Sequence, residues 1–347
     1  MLLKSALFAF SSARLINIPT SENNFIDFSE YESFIENKDD FNFAVFADAQ
    51  FGKYDKEDLD GDGTDVSYDI ERIEEMCRQI SAMPSSERPA FIVNLGDIAH
   101  GLPHDEGASN PGSNPELRPF QVSEYMDAMR SCPKDIPQFA VSGNRDDGNE
   151  KYKANDMLGF EKLFHEKNFW FKAGNRYFIG LETQVYFLVN GFAQTRLREQ
   201  EHFIMNTLNL LPSDAPKTVF MHKALYIENP EEIEASELKE KSIPIAYRNQ
   251  LLSQFSENGV DSVFSGHTHF ENVPPAYGPV QQYVMTSISS QNSWNSKEYW
   301  GPNGERMAYG DCTPSFYMVN AKAERVTVTA KRVDGKSGSI PVCKHPK

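Results

Sequence analysis

Short apolar runs alternate with helix-like patterns along most of the chain. Eight runs rich in β-branched and aromatic residues predict β-strands, and they lie at residues 41–49, 90–97, 137–144, 177–183, 217–222, 261–267, 283–289 and 325–333. Apolar residues at helical spacing predict four helices, at residues 67–83, 123–131, 195–211 and 244–258. Gly259 is suited to end the last of these helices. Alternation of strands and helices over this length predicts an α/β fold.

Polar residues that are able to bind metals lie at the ends of five of the eight predicted strands. They are Asp48, Asp97, Asn144, His222, and the pair His267 and His269. Taken singly, each of them is typical of a turn, a helix cap or a loop histidine. The carboxyl ends of strands are, however, where the ligand sites of α/β sheets gather, and residues two apart at a strand end point the same way. The shared position favours one site that is built from all of them.

Charge excludes one class of function. The 347 residues include 50 acidic and 34 basic side chains, which gives a formal net charge of -16. No nucleic-acid polymer is expected as a partner, because such binding needs a basic stripe on the surface.

The hydrophobic fraction of 39% is enough to fill a substantial core and excludes bulk disorder. No apolar run in the sequence reaches the length of a membrane span, so no span is predicted.

The cysteines and the N-terminal residues bear on the compartment. Cys77, Cys132, Cys312 and Cys343 are far apart in the sequence and form no CxxC pair. This pattern predicts reduced thiols and a cytoplasmic protein. Residues 1–20 contain a short apolar stretch after a lysine, at the low end of the length of a signal sequence. Secretion with cleavage of this segment is therefore the alternative.

The polar strand ends, read in order, carry a family resemblance. They read Asp48-Ala49-Gln50, Gly96-Asp97, Gly143-Asn144-Arg145-Asp146, His222, and Gly266-His267-Thr268-His269. This order resembles the calcineurin-like metallophosphoesterase superfamily across residues 41–335. The segments FADAQFG, LGDIAHGLPH, SGNRDDGN and FSGHTHFENV are most similar to the branch called calcineurin-like phosphoesterase domain-containing protein 1.

The resemblance implies more about the fold than the apolar pattern does. It implies a four-layer α/β/β/α sandwich with two mixed sheets, whereas the pattern by itself predicts only the α/β class. The catalytic domain is expected at residues 41–335. Residues 1–40 are expected to be an irregular lead-in, and residues 336–347 a C-terminal tail.

The resemblance also implies a dinuclear metal centre. Mixed carboxylate, amide and imidazole ligands suit two divalent ions of Mn, Fe or Zn, which would neutralise phosphoryl oxygens and activate water. The first ion is expected to bind Asp48, Asp97 and His269. Gln50 stands where most relatives have a histidine ligand, and its amide oxygen is a weaker ligand. The second ion is expected to bind four side chains, of which Asp97 bridges both ions: Asp97, Asn144, His222 and His267.

Catalytic roles are implied for Asp97, Asn144, Arg145 and His222. Arg145 departs from the family pattern, because most relatives have a histidine there that protonates the leaving group. A guanidinium has a pKa above about 12, so it cannot act as a general acid, but it can clamp phosphoryl oxygens. The same G-N-R-D motif occurs in pyrophosphohydrolases of the superfamily. His100 or His104 could supply the missing proton, and the alternative is that both are ordinary surface histidines.

A second metal signal lies at residues 58–69. The segment DLDGDGTDVSYD matches the calcium-loop template, with Asp58, Asp60, Asp62 and Asp69 as ligands. Asp65 occupies the eighth position of the template, where an apolar residue normally packs, and no helical pattern precedes the loop. An acidic, solvated loop is the alternative.

The sequence therefore predicts hydrolysis of phosphoesters at two divalent metal ions, with a phosphorylated protein or small molecule as substrate. The branch resemblance implies a protein serine/threonine phosphatase, although Arg145 disfavours a poor alkoxide leaving group. One alternative is a phosphodiesterase or pyrophosphohydrolase that acts on a small molecule. The other is a binding module that keeps the fold without turnover. The sequence predicts no oligomeric state.

Overall fold

The structure is a computed structural model that describes ten stretches of the chain. These are residues 24–32, 35, 37–53, 63–104, 113–148, 154–187, 191–233, 241–289, 314–322 and 325–333, and for residues 154–158 the backbone alone is described.

Within these residues the chain forms ten strands and six α-helices. The strands are β1 (Asp40–Phe46), β2 (Pro89–Asn94), β3 (Gln138–Ala140), β4 (Phe169–Ala173), β5 (Arg176–Leu181), β6 (Lys217–Met221), β7 (Val260–Ser265), β8 (Gln281–Val284), β9 (Ser315–Lys322) and β10 (Val326–Arg332). The helices are α1 (Ser67–Ala82), α2 (Arg118–Met129), α3 (Asn144–Asp147), α4 (Ala154–Leu163), α5 (Gly191–Leu210) and α6 (Ile245–Glu257). Every predicted strand and helix is present, and β4, β9, α3 and α4 are additional.

The strands form two mixed sheets of five strands each. In the first sheet the order is β10-β9-β1-β2-β3, and β1 runs antiparallel to β9 and parallel to β2. In the second sheet the order is β4-β5-β6-β7-β8, and only β4 is antiparallel to its neighbour. The parallel strands of each sheet therefore end at one common edge, which is where the polar residues of the sequence motifs follow them.

Three apolar cores separate the layers. Alternate residues of β1 face opposite sides of the first sheet, as a strand requires. Phe43 and Val45 lie between the two sheets, while Ala44 and Phe46 pack under α1 and α2. Phe43 stacks on Phe91 at 5.1 Å and meets Phe178 of the second sheet edge-on at 5.3 Å. A third core lies between the second sheet and helices α5 and α6. The expected four-layer α/β/β/α sandwich is confirmed.

The described part of the lead-in belongs to the core between the sheets. Ile26 and Phe28 are buried there, and the backbone N–H of Ile26 donates to the carbonyl of Trp170 at 2.9 Å. The ring of Phe28 stacks on Phe171 at 5.4 Å. Isolated apolar residues have no periodicity, so the sequence pattern could not assign them to the core.

The expectation of reduced thiols is wrong for one pair of cysteines. Cys77 of α1 and Cys132, just after α2, form a disulfide that spans 55 residues. Both residues are buried where α1 packs against α2, which is a proximity that linear spacing does not reveal. The reason for expecting a reducing compartment is thereby lost. Cys312 and Cys343 lie outside the described residues.

Across the described residues, no helix combines the length and the hydropathy that crossing a bilayer requires.

Candidate metal centre

Short contacts connect all seven predicted metal ligands at one edge of the sandwich. Asp48, Gln50 and Asp97 come from loops after β1 and β2 of the first sheet, and Asn144 begins α3 just after β3. The ligands His222, His267 and His269 come from loops after β6 and β7 of the second sheet. The atoms that link the two sheets include His222 Nε2, which lies 3.1 Å from Asn144 Oδ1 and 3.5 Å from Asp97 Oδ1. The structure thus brings the seven residues together, and their binding of metal stays a prediction.

The side chains predicted to bind the second ion, which we call the second half of the centre, bring several possible ligand atoms together. The ring Nδ1 of His222 lies 2.7 Å from the carbonyl oxygen of Leu95, and it must donate because a carbonyl only accepts. In the neutral ring, Nε2 then carries a lone pair, and it faces Nδ1 of His267 at 3.2 Å. One ligand atom each from Asp97, His222 and His267 lies within 4.8 Å of the others. Desolvation, followed by the charge of Lys223, holds the pKa of His267 well below its ordinary value, so this ring also offers a lone pair. Such a donor set fits a divalent cation.

The first half of the centre is built around Asp48. One carboxylate oxygen, Oδ2, accepts the backbone N–H of His267 at 2.8 Å. The other, Oδ1, is buried, lies 3.3 Å from Nε2 of His269, and receives no hydrogen bond from the described part of the chain. Burial, followed by the charge of Lys53, lowers the pKa of His269, so its ring is neutral and can present a lone pair. A buried carboxylate oxygen beside a neutral imidazole again fits a metal ion.

Gln50 meets Asp97 through its amide nitrogen. Its Nε2 donates to Asp97 Oδ2 at 2.8 Å, and in this orientation the amide holds the carboxylate. A half-turn of the amide would present its oxygen instead, since the two orientations differ little in shape. The same Asp97 turns Oδ1 towards His222, so its two oxygens face the two halves of the centre.

Backbone conformation sets the predicted ligands apart from the rest of the chain. Among the described non-glycine residues, only Asn24 and five predicted ligands have positive φ: Asp48 (54°), Gln50 (39°), Asp97 (56°), His267 (69°) and His269 (59°). This left-handed region is disfavoured for residues that carry a Cβ, and it concentrates at functional sites where the surroundings enforce it. The reversal just after each strand is what turns these side chains into a common space.

Two motif glycines are required by the close approach of the carboxylates. A Cβ on Gly143 would lie 2.2 Å from Asp97 Oδ1, and a Cβ on Gly266 would lie 2.5 Å from Asp48 Oδ2. Any larger residue at either position would push a carboxylate out of place. The glycines of G-N and G-H are therefore part of the site, although they carry no ligand atom.

Arg145 is joined to the centre by its backbone and faces it with a half-buried side chain. Its N–H donates to Asp97 Oδ1 at 2.8 Å, and its Nη1 donates to the carbonyl of His100 at 2.6 Å. Burial alone would raise the pKa of Asp97, but His222 and Arg145 hold it below its ordinary value. His100 is buried, so the expectation of a surface histidine is wrong for this residue, whereas His104 is half-buried.

Asp146, the last residue of the G-N-R-D motif, supports the loops instead of facing the centre. Its carboxylate accepts the N–H of Gly143 at 3.0 Å, which caps the start of α3, and the N–H of Asp97 at 2.8 Å.

Sequence reasoning missed Arg118, Gln121 and Ser287. Ser287 donates to the carbonyl of Asp48 at 2.6 Å. No motif surrounds these three residues, so nothing in the sequence marked them.

Only one of the four predicted calcium ligands, Asp69, is described. Asp69 is buried, and its carboxylate accepts the N–H of Gly52 at 2.8 Å and the hydroxyl of Ser289. Burial raises the pKa of Asp69 to about 8. Asp58, Asp60 and Asp62 lie outside the described residues, so calcium binding stays a prediction.

Comparisons with known proteins bear on the family and the fold. A family model described as calcineurin-like phosphoesterase matches residues 41–271. A Bos taurus protein named serine/threonine-protein phosphatase CPPED1 is 28% identical over 260 residues, which cover 73% of this chain and 77% of that protein. Among solved structures, a dimetal phosphatase from Danio rerio aligns with a TM-score of 0.54 at 13% identity, over 85% of this chain and 97% of that one. GAP50, described as the anchor in the inner membrane complex of Plasmodium, aligns with a TM-score of 0.53 at 17% identity over 85% of both chains.

Proposed function

The chain belongs to the calcineurin-like phosphoesterase family, and from this premise we propose that it hydrolyses phosphate esters at two divalent metal ions held by the seven residues of the candidate metal centre. The observation that carries the proposal is the convergence of acceptor atoms from Asp97, His222 and His267 within 4.8 Å. Ligand atoms this close together can bind one divalent cation jointly. Asn144 Oδ1 adds an amide oxygen to the same cluster.

The proposed ligand sets follow the two halves of the centre. Asp48 and His269 would hold the first ion with Gln50 beside them, and Asn144, His222 and His267 would hold the second. Asp97 would bridge the ions, which is supported by its two oxygens facing different halves. The metals would be Mn, Fe or Zn, and when bound they supply charge neutralisation and a water of lowered pKa. The remaining steps depend on residues of the chain.

We propose that Arg145 binds the phosphoryl group of the substrate. Its guanidinium is charged at every pH at which the protein is folded, and the carbonyl of His100 holds it in place. Two parallel N–H groups can bind two phosphoryl oxygens and stabilise the charge that develops on them. Asn144 and His222 would contact the same group or its metal. Since Arg145 cannot donate a proton, leaving groups that depart as stable anions should react best.

A phosphoprotein is the substrate class that we propose first. The support is the name of the Bos taurus relative, a serine/threonine-protein phosphatase. Arg145 favours a second candidate, a phosphodiesterase or pyrophosphohydrolase acting on a small molecule with a good leaving group. The third candidate is a binding module without turnover, and the likeness in fold to GAP50, described as an anchor, is the observation behind it. With a net charge of -16, we propose no nucleic-acid polymer as partner.

Domain limits and compartment are proposals as well. We propose residues 41–335 as the catalytic domain, since β9 and β10 complete the first sheet beyond the matched residues 41–271. Residues 1–40 would precede it and residues 336–347 would form a tail. The Cys77–Cys132 disulfide favours an oxidising compartment over the cytoplasm, in agreement with the secretory alternative.

Metal analysis combined with hydrolysis of an aryl phosphate tests the enzyme against the binding module. Wild-type protein is expected to bind two ions and to hydrolyse p-nitrophenyl phosphate, and Asp97→Asn is expected to lose both properties. Asp135→Asn is a matched control, because Asp135 is exposed and pairs only with Arg88 among the contacts described. A wild-type protein that holds metal but hydrolyses neither aryl phosphate nor a phosphoanhydride would favour the binding module.

A further inference from the structure

Arg118, the first residue of α2, contacts the loop after β2, which carries the proposed bridging carboxylate, and the short helix α3 beside it. Its Nη1 donates to the carbonyl of Gly101 at 2.8 Å, in the loop after β2, and to the carbonyl of Arg145 at 3.3 Å, in α3. Its Nη2 donates to Asp146 Oδ1 at 3.2 Å. The side chain of Arg118 is only 14% exposed, and that of Asp146 is fully buried. The guanidinium of Arg118 therefore connects the loop after β2 and the helix α3 to the start of α2.

Asp146 transmits this contact to Asp97. Its Oδ2 accepts the N–H of Asp97 at 2.8 Å and the N–H of Gly143 at 3.0 Å, and its Oδ1 accepts the N–H of Ile98 at 3.3 Å. A single carboxylate thus holds three backbone donors from the loops after β2 and β3. Because it is buried, it needs a cationic partner nearby, and Arg118 is that partner.

The backbone of Asp97 needs such support. Its φ of 56° lies in the left-handed region, which is disfavoured for residues that carry a Cβ. The N–H that Asp146 holds belongs to this residue, so the bond fixes the conformation that aims the carboxylate. The loop has a second support, because Gln121, one turn further along α2, accepts the N–H of Gly101 at 2.6 Å.

We propose that Arg118 is a positioning residue of the metal centre, which acts through Asp146 to hold the backbone of Asp97 in the conformation that metal binding uses. The inference rests on the proposed function, in which Asp97 is a metal ligand. Among the contacts described, Arg118 reaches no side chain of a proposed ligand. Outer partners of metal ligands commonly change metal affinity about 10–100-fold when they are removed.

Calorimetric titration of the metal-stripped full-length protein with Mn2+ tests the inference. Arg118→Gln is expected to weaken Mn2+ binding about 10–100-fold. Arg118→Lys should recover part of the loss, because it restores a charge beside Asp146 but cannot reach both carbonyls. Arg130→Gln is the control, since Arg130 lies at the other end of α2, is half-exposed and pairs with Asp127 of the same helix. Wild-type affinity in a folded Arg118→Gln protein overturns the inference.

A second measurement separates positioning from plain stabilisation. A merely structural Arg118 would lower the melting temperature and leave Mn2+ affinity unchanged at temperatures where the variant is folded. The double variant Arg118→Gln, Asp146→Asn should bind Mn2+ as Asp146→Asn does, within about twofold, because both changes break one route. Additive losses overturn that route.

A variant that does not fold and a wild type that does not bind metal have different consequences. If Arg118→Gln does not fold, Asp146→Asn decides, and wild-type affinity in that variant overturns the inference. A wild-type protein that binds no Mn2+ overturns the proposed function and this inference together. Binding by wild type with unchanged affinity in Arg118→Gln overturns this inference alone.

Discussion

Asp48 and His267 join the two sheets across the metal centre. The carboxylate that follows β1 accepts the backbone N–H of a residue that follows β7, at 2.8 Å, and its second oxygen accepts no hydrogen bond from the described part of the chain. Asp48 therefore acts both as a proposed ligand and as a link between the two halves of the fold.

Asp48→Asn should separate these two roles. The amide can still accept the N–H of His267, so the fold should persist, but the negative ligand of the first ion is lost. We expect metal content at saturating Mn2+ to fall from two ions to one, and kcat/KM to fall at least about 100-fold. Elemental analysis and steady-state kinetics check this, with Asp135→Asn as the matched control. A variant that retains two tightly bound ions would remove Asp48 from the ligand set.

Arg145→His should change which leaving groups are accepted. Histidine can protonate a leaving alkoxide, and such general acids contribute about 10²–10⁴-fold to a rate. We expect the ratio of kcat/KM for a phosphoserine peptide to that for p-nitrophenyl phosphate to rise at least about tenfold in the variant. Its pH profile should also gain a fall above the histidine pKa, because wild-type Arg145 does not titrate there. A ratio that stays constant would show that Arg145 does not limit the choice of leaving group.

Removal of the metals should abolish phosphate binding as well as turnover. The chain carries a net charge of -16, and seven carboxylates lie between Asp55 and Asp69, so an anion is attracted only at short range. Calorimetry with inorganic phosphate should show binding to the Mn2+-loaded protein and none to the chelator-treated protein. Binding that survives chelation would mean that side chains such as Arg145 suffice on their own.

Asp69 should make stability depend on pH. Burial raises its pKa to about 8 in the folded chain, while the unfolded carboxyl has its ordinary value of 3.8. Between these values the folded state keeps a proton that the unfolded state releases, so the free energy of unfolding falls as pH rises from about 4 to about 8. Asp69→Asn does not titrate and lacks this term. The difference in stability between wild type and variant, measured by urea unfolding at pH 6, 7 and 8, should therefore move steadily in favour of the variant, and a constant difference would contradict the raised pKa.

The disulfide between Cys77 and Cys132 should stabilise the fold. It closes a loop of 55 residues, and removing such a bond typically costs about 2–4 kcal/mol in the free energy of unfolding. Urea unfolding of the variant in which both cysteines are serine should show that loss. Thiol titration of denatured, unreduced protein should find two thiols fewer than after reduction. Equal thiol counts before and after reduction would show that the disulfide is absent, and they would favour a reducing compartment.

The sequence predicted the strand ends well because each ligand follows a strongly apolar run. Asp97, Asn144 and His222 could be assigned to one site because parallel strands end at a common edge. The pattern overestimated the strands, however: the run at 41–49 becomes β1 only up to Phe46, since the left-handed φ of Asp48 ends pairing. The periodicity of apolar residues predicts a strand, but it does not predict the turn that directs the ligand side chain.

Contacts that cross the fold were beyond the sequence for a different reason. Arg118 reaches Asp146 over 28 positions, and Cys77 reaches Cys132 over 55, with no motif around either pair. Both depend on how α2 packs, which a single sequence does not reveal. The orientation of Gln50 is likewise set by Asp97 opposite it, so its role could not be read from its place in the motif.

A metal bound at the centre would take part in folding. Nε2 of His222 and Nδ1 of His267 lie 3.2 Å apart only in the folded chain, so an ion that binds both rings binds the folded state alone. A ligand that binds only the folded state adds stability with its concentration, about 2.7 kcal/mol at one hundred times its Kd. We therefore expect solutions of this one chain that differ only in free metal to have different melting temperatures.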